Sequence, residues 1–188
     1  HLNQRYSFIK PKKGFLRYKI SRNGISPRCF LGEKNGHNIT NSYEHSEDSL
    51  FTEESNERNK MMDKRKRKFE SLKKEIVQPK LYGPKKAKVS LISWGSNKGA
   101  VLETLKMLNK TQKEEVNFLH LNFLWPFPNK AVEKFIKSAR QVICLEGNST
   151  GQLASLIREQ TGLKVKSFLK YDGRPFYPEE IKKEVSNG

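Results

Sequence analysis

KVSLISWGSNKGAVLETLKMLNK (88–110), VNFLHLNFLWPFP (116–128), QVICLEGNSTGQLASLIREQTG (141–162) and KVKSFLKYDGRPF (164–176) share one pattern, an apolar run closed by a turn. In three of them an amphipathic stretch follows, with AVEKFIKSA (131–139) serving the second. Near-continuous apolar runs of this length fit strands covered on both faces. Strands alternating with helices dictate a mostly parallel sheet, because parallel neighbours can be joined only through crossovers. The predicted fold is therefore α/β, a three-layer α/β/α domain over residues 88–188. Its helices carry Val101, Leu105 and Leu108, then Val132, Phe135, Ile136 and Ala139, then Leu153, Leu156 and Ile157, with Gly162 as a left-handed cap. PEEIKKEV forms a last short helix with Pro178 in its first turn.

The four turns lie beyond the carboxyl ends of the strands, where open parallel sheets present their ligand and partner surfaces. In SWGSNKG (93–99), Gly95 permits close backbone approach and Ser96 or Asn97 can cap the helix, leaving amides directed toward an anion. EGNSTGQ (146–152) repeats that geometry, with Asn148, Ser149, Thr150 and Gly151 as a second anion or interface turn and Ser149 and Thr150 as ready caps. Neither turn has GxGxxG or GxxxxGK[ST] spacing. Glu146 stands at a strand end without a His or second carboxylate beside it, so a hydrogen-bonded structural role is favoured and no catalytic residue is assigned. In LWPFP (124–128), Pro126 and Pro128 fix the chain direction while Trp125 and Phe127 can cover a sheet end or enter a subunit interface. In KYDGRPF (170–176), Asp172-Gly173 makes a turn, and Arg174 pairs either with Asp172 or with a partner's carboxylate.

Upstream the composition changes. Residues 32–49 are polar and read as a long loop, within which the YEHSE cluster reads as solvated. FLRYKI (15–20) reads as a short strand followed by a turn at Asn23-Gly24. A basic helix is predicted from about Glu54 to Ile76, docking through Met62, Phe69, Leu72 and Ile76. Pro79, Gly83 and Pro84 end it, so the expected division is 1–80, a linker at 81–87, and the α/β domain from 88.

The formal charge is +17 over 188 residues, and thirteen Lys and Arg face only Asp63, Glu70 and Glu75 between 58 and 88. Charge alone supplies no base readout, so this stretch is read as a solvated face or a surface for acidic protein. A basic nucleic-acid-binding module using residues 58–88 is the alternative. Cys29 and Cys144 follow no metal-ligand spacing, and His1, His37, His45 and His120 share none with an acid or a Cys, so no metal site is assigned. No apolar run is long enough to cross a bilayer and no signal peptide is evident, which points to a reducing cytoplasmic setting. The opening at His1 without Met is that of a fragment or a processed chain.

Arg17 to Ile20 with Gly24 to Arg28, Glu44 to Glu47 and Arg58 to Lys68 occur in that order. WGS (94–96), LWPFP (124–128), N-x-TGQL (148–153) and YDGRPF (171–176) follow them. In order and spacing these motifs closely resemble the C-terminal portion of the alpha subunit of 2-oxoacid:ferredoxin oxidoreductases, particularly the 2-oxoglutarate type. The resemblance spans about residues 15–182. It implies the tail of a preceding domain followed by a domain similar to the transketolase C-terminal domain. It also implies a holoenzyme that decarboxylates a 2-oxoacid, forms acyl-CoA and passes electrons to ferredoxin. Thiamine diphosphate and magnesium would reside on the beta subunit and iron–sulfur clusters elsewhere in the holoenzyme. No cofactor is expected on this chain alone, and the isolated chain is expected to be inactive.

Overall fold

In the computed structural model, which describes residues 8–109 and 116–187, every apolar run of the second half is a strand. In chain order the elements are α1 (Ser55–Lys73), β1 (Lys80–Tyr82), β2 (Val89–Trp94), α2 (Lys98–Asn109), β3 (Val116–Leu121), α3 (Asn129–Ser138), β4 (Gln141–Glu146), α4 (Gln152–Thr161), β5 (Lys166–Leu169) and α5 (Pro178–Ser186). A single 3₁₀ turn, Gly95–Asn97, leads from β2 into α2. Lys110, expected as the end of α2, lies outside the described residues.

The sheet order is β1-β3-β2-β4-β5, with β2 to β5 parallel and β1 antiparallel to β3. Register places Leu91 between Phe118 and Ile143, and Ile92 between Leu119 and Cys144. Because successive side chains point to opposite faces, these two rows enter different cores. Leu91, Phe118 and Ile143 pack with Val101 and Leu105 of α2 and with Ile181 and Val185 of α5. Ile92, Leu119 and Cys144 pack with Val132 and Phe135 of α3 and with Leu153 and Ile157 of α4. The three-layer α/β/α architecture follows from this alternation. Gly162 closes α4 in the left-handed region, with its N–H on Arg158 O.

The chain divides into two units at Glu75/Ile76. Residues 80–82, taken as the end of the preceding segment and the start of a linker, instead form the antiparallel edge strand β1. Gly83 then turns at φ +87, where an added Cβ would lie 2.7 Å from Val116 O.

The first unit departs from expectation in its proposed strand and in the docking face of its helix. No strand forms at 15–20, because its backbone groups are taken by loop and helix rather than by a neighbouring strand. Tyr18 N–H donates to Glu47 O (3.0 Å), Ile20 N–H to Glu47 Oε1 (2.6 Å), and Lys64 Nζ to Tyr18 O (2.8 Å). The helix is present, but it docks through Met61 and Lys64, which are buried, while Met62 and Leu72 are exposed and Phe69 is half-buried. Gly24 sets that face. A Cβ there would sit 2.4 Å from both Lys64 O and Lys68 N, so the turn lies directly against the helix backbone.

Candidate functional site at the carboxyl edge of the sheet

The strand order brings the four turns into one row: LWPFP after β3, the 3₁₀ turn after β2, EGNSTG after β4 and YDGRPF after β5. Outer strands three spacings apart at about 4.8 Å put Trp125 and Arg174 near opposite ends of an edge roughly 14 Å across. The candidate residues therefore share a rim and do not converge on one reacting atom.

The centre of this rim is closed by internal hydrogen bonds. Glu146, with no exposed surface, accepts from Leu153 N–H (2.6 Å), Asn148 Nδ2 (2.9 Å) and Ala154 N–H (3.0 Å). Asn148 Oδ1 in turn accepts from the N–H groups of Thr150 (3.1 Å), Gly151 (2.8 Å) and Gln152 (3.3 Å). Five successive amides, 150 to 154, are thus satisfied within the chain. The caps of α4 are Glu146 and Asn148. The hydroxyls of Ser149 and Thr150, expected as caps, make no hydrogen bond to a described residue. The reason is local geometry: Gly151 adopts φ 66, ψ 49 and turns the helix entry back onto the strand end. Burial pushes the Cys144 thiol well above the usual range, with the Glu146 carboxylate adding to it, and that thiol lies 3.6 Å from Glu146 Oε1. Cys144 is an inert core group.

A second polar seam joins β2 to its neighbours. Ser93 Oγ donates to Leu145 O (2.7 Å), Asn97 Nδ2 donates to Ser93 Oγ (3.0 Å), and His120 Nε2 lies 3.3 Å from Gly95 O. Asn97 therefore ties the turn to the sheet and does not cap α2. Gly95 takes φ +64, and Gly95 and Ser96 are both exposed.

At the rim's ends the aromatics separate. Phe127 packs on the α3–α4 core, whereas Trp125, joined to Pro126 by a cis peptide bond, is 60% exposed. Asp172 Oδ1 accepts the backbone N–H of Arg174 (3.0 Å), so no guanidinium–carboxylate pair forms between them, and the Arg174 side chain is exposed. The strongest ion pair here is Lys170 Nζ with both oxygens of Glu180, at 2.6 and 2.7 Å, while Glu180 Oε2 also accepts Tyr177 N–H (2.9 Å). Pro178 followed by Glu180 at the third helical position signals the helix start, where the Glu180 carboxylate returns to the N-cap amide of Tyr177.

In the first unit the YEHSE loop is not solvated. The Glu44 side chain is 7% exposed, takes both guanidinium nitrogens of Arg65 (2.8 and 2.5 Å) and approaches Arg58 (3.3 Å). His45 stacks on Tyr18 with ring centroids 3.6 Å apart. The hydrogen bond from Arg65 holds the Glu44 carboxyl down at about 2, from 4.5. Between those values the unfolded chain binds more protons than the folded one. The contribution is therefore complete above pH 4.5 and lost as pH falls through about 2. Glu44→Gln is expected to destabilise the first unit by about 2 kcal/mol at pH 7, a figure reduced because both arginines are partly exposed. Urea unfolding of wild type and variant at pH 7 and pH 2 should then converge in acid; a constant difference would reject the pair. Other cations of α1 also have acidic partners, including Lys60–Glu57, Lys66–Asp63 and Lys73–Glu70.

The model of a family described as pyruvate:ferredoxin oxidoreductase core domain II matches residues 87–181. The chain belongs to that family. It is 37% identical over 175 residues to 2-oxoacid:ferredoxin oxidoreductase 2, subunit alpha, of Aeropyrum pernix, covering 91% of this chain and 27% of that protein. It is 33% identical over 179 residues to 2-oxoacid:ferredoxin oxidoreductase 1, subunit alpha, of Sulfurisphaera tokodaii, with the same shares. Among solved structures it matches 2-oxoglutarate:ferredoxin oxidoreductase from Magnetococcus marinus, solved with 2-oxoglutarate, coenzyme A and succinyl-CoA bound. That match has a TM-score of 0.83 and 28% identity, covering 96% of this chain and 32% of that one. This pyruvate:ferredoxin oxidoreductase-family chain is thus a homologue of the C-terminal region of 2-oxoacid:ferredoxin oxidoreductase alpha subunits. It spans about a quarter of the length of those curated relatives.

In this family member the turn at the α4 N-terminus does not fit a diphosphate, and the cysteine count does not fit an all-cysteine cluster. The amides at the α4 N-terminus, where a diphosphate would seat, are already taken by Asn148 and Glu146. An all-cysteine cluster needs four thiolates, and the chain has two cysteines. Among the described residues no three His, Cys, Asp or Glu side chains lie together as a metal-ligand set. No helix of the described residues is long and apolar enough to cross a membrane.

Proposed function

We propose that this chain forms the C-terminal region of the alpha subunit in a cytoplasmic 2-oxoglutarate:ferredoxin oxidoreductase, supplying partner contacts and no reacting group. The beta subunit carries thiamine diphosphate and magnesium, iron–sulfur clusters lie elsewhere in the assembly, and coenzyme A and ferredoxin are used at the level of the whole enzyme. The supporting observation is the sealing of Glu146. The one carboxylate buried at the sheet's carboxyl edge spends its oxygens on helix amides and Asn148, leaving no lone pair aimed at solvent for proton transfer. Around it, Gly95, Ser96, Ser149, Trp125, Asp172 and Arg174 remain exposed as a rim suited to contact.

Exposed Trp and Arg side chains are the residue types that dominate interface energies. Trp125→Ala and Arg174→Ala, each in the full chain, are expected to weaken binding to the thiamine diphosphate-carrying partner subunit by about tenfold or more. Circular dichroism of the variants should not change, since neither side chain is in the core. Affinity equal to wild type in both variants, measured by surface plasmon resonance, would remove the rim from the interface.

A further inference from the structure

The first unit contains a cavity of about 480 Å³ beneath α1, a size characteristic of small-molecule sites. Its walls are of two kinds. Tyr18, Ile25, Met61, Phe69 and Leu72 supply apolar surface, and Arg17, Lys64 and Lys68 bring positive charge to the same space. Arg28, Arg65 and the carboxylate of Glu75 also line it, and the Arg65 guanidinium is neutralised by Glu44. Arg17, Lys64 and Lys68 form no ion pair with a carboxylate among the described residues. Lys64 is the deepest of them, 7% exposed, and one of its three ammonium donors is used on Tyr18 O. Two donors remain.

Five cations, Arg17, Arg28, Lys64, Arg65 and Lys68, line this space against the Glu75 carboxylate and the Glu44 pair of Arg65, with Glu47 acting on Lys64 at longer range. Positive charge is in excess, which is unfavourable around a buried ammonium unless an anion shares the space. Burial, then repulsion from Lys68, Arg17 and Arg65, holds the Lys64 ammonium down at about 8. An anion inside the cavity removes that repulsion, and the aromatic and aliphatic wall excludes water from its other end. We infer that this cavity binds a small molecule bearing a carboxylate or phosphate at one end and a compact apolar or aromatic body at the other. Lys64 and Lys68 hold the anion, and Met61, Phe69 and Leu72 enclose the body. The binding does not depend on the subunit role proposed above, because every residue involved lies in the first unit.

Met61 lines the cavity, and the chain has only three methionines, 61, 62 and 107, so ¹³C-methyl methionine NMR gives a site-specific readout. The full chain is titrated with phenyl phosphate, phenylacetate, inorganic phosphate and benzyl alcohol at constant ionic strength. Phenyl phosphate or phenylacetate is expected to shift the Met61 methyl saturably and leave Met107 still. Inorganic phosphate and benzyl alcohol each lack one half of the recognition and should bind about tenfold more weakly or worse. Lys68 is exposed and its side chain makes no hydrogen bond or ion pair among the described residues, so Lys68→Glu should raise the dissociation constant of the better aryl anion at least about tenfold. Lys68→Arg should preserve it. Absence of a saturable Met61 shift with either aryl anion would overturn the inference. So would benzyl alcohol or inorganic phosphate binding as tightly as the aryl anions, or a Lys68→Glu titration that matches wild type.

Discussion

Glu146→Ala should lower the stability of the second unit by about 4 kcal/mol, because it leaves several buried donors without acceptors at once. The carboxylate has no exposed surface and receives Leu153 N–H, Ala154 N–H and the Asn148 amide. Leu153 is itself 2% exposed, so water does not replace the lost bond to its amide. The loss spreads, because Asn148 is held by Glu146 and itself holds the amides of Thr150, Gly151 and Gln152. Glu146→Gln keeps the volume but turns an amide donor toward helix donors, and about 2 kcal/mol is expected for it. Trp94 and Trp125, the two tryptophans of the chain, both lie in this unit and report its urea unfolding. A loss below about 1 kcal/mol for the alanine variant would mean that the helix terminus is not organised by this carboxylate.

Gly24→Ala is expected to undock α1 from its turn, at a cost of about 4 kcal/mol or more to the first unit. A new Cβ would lie 2.4 Å from Lys64 O and Lys68 N and 2.9 Å from Lys68 Cα, and none of these backbone atoms can move without breaking the helix. The residue also sits at φ +76, where an L side chain adds its own strain. The Met61 methyl, 1% exposed beside this contact, should then take the chemical shift of a solvent-exposed methionine. A variant whose Met61 resonance and urea midpoint match wild type would show that Gly24 does not approach the helix this closely.

Much of the α/β unit is legible in the sequence because its signals are local and redundant. VSLISW, VNFLHL and QVICLE are apolar on both faces, and only a central strand in a covered sheet needs that. β1 escapes notice because three residues between Pro79 and Gly83 carry too little periodicity, and the strand exists only through its pairing with β3. In α1 the helix is evident but its buried side is not. That side is chosen by Gly24, some forty residues upstream, and by a lysine whose ammonium reaches Tyr18 O. The YEHSE loop reads as solvated for a similar reason, since Arg58 and Arg65 lie 14 and 21 residues beyond Glu44 and no local pattern announces the pairs. At the candidate site, composition locates the EGNSTG turn but cannot choose its caps. Asn, Ser and Thr are nearly equivalent there by propensity, and the left-handed Gly151 decides in favour of Asn148 and Glu146.

The most direct test of the proposed role is a pair of assays at one protein concentration. The purified chain, supplied with thiamine diphosphate, magnesium, 2-oxoglutarate, coenzyme A and a viologen dye, should reduce no dye. On mixing with the thiamine diphosphate-carrying partner subunit, the same chain should enter a stoichiometric complex on size-exclusion chromatography. Dye reduction by the chain alone, or a partner that elutes without it, would contradict the assignment of this chain to subunit contact rather than chemistry.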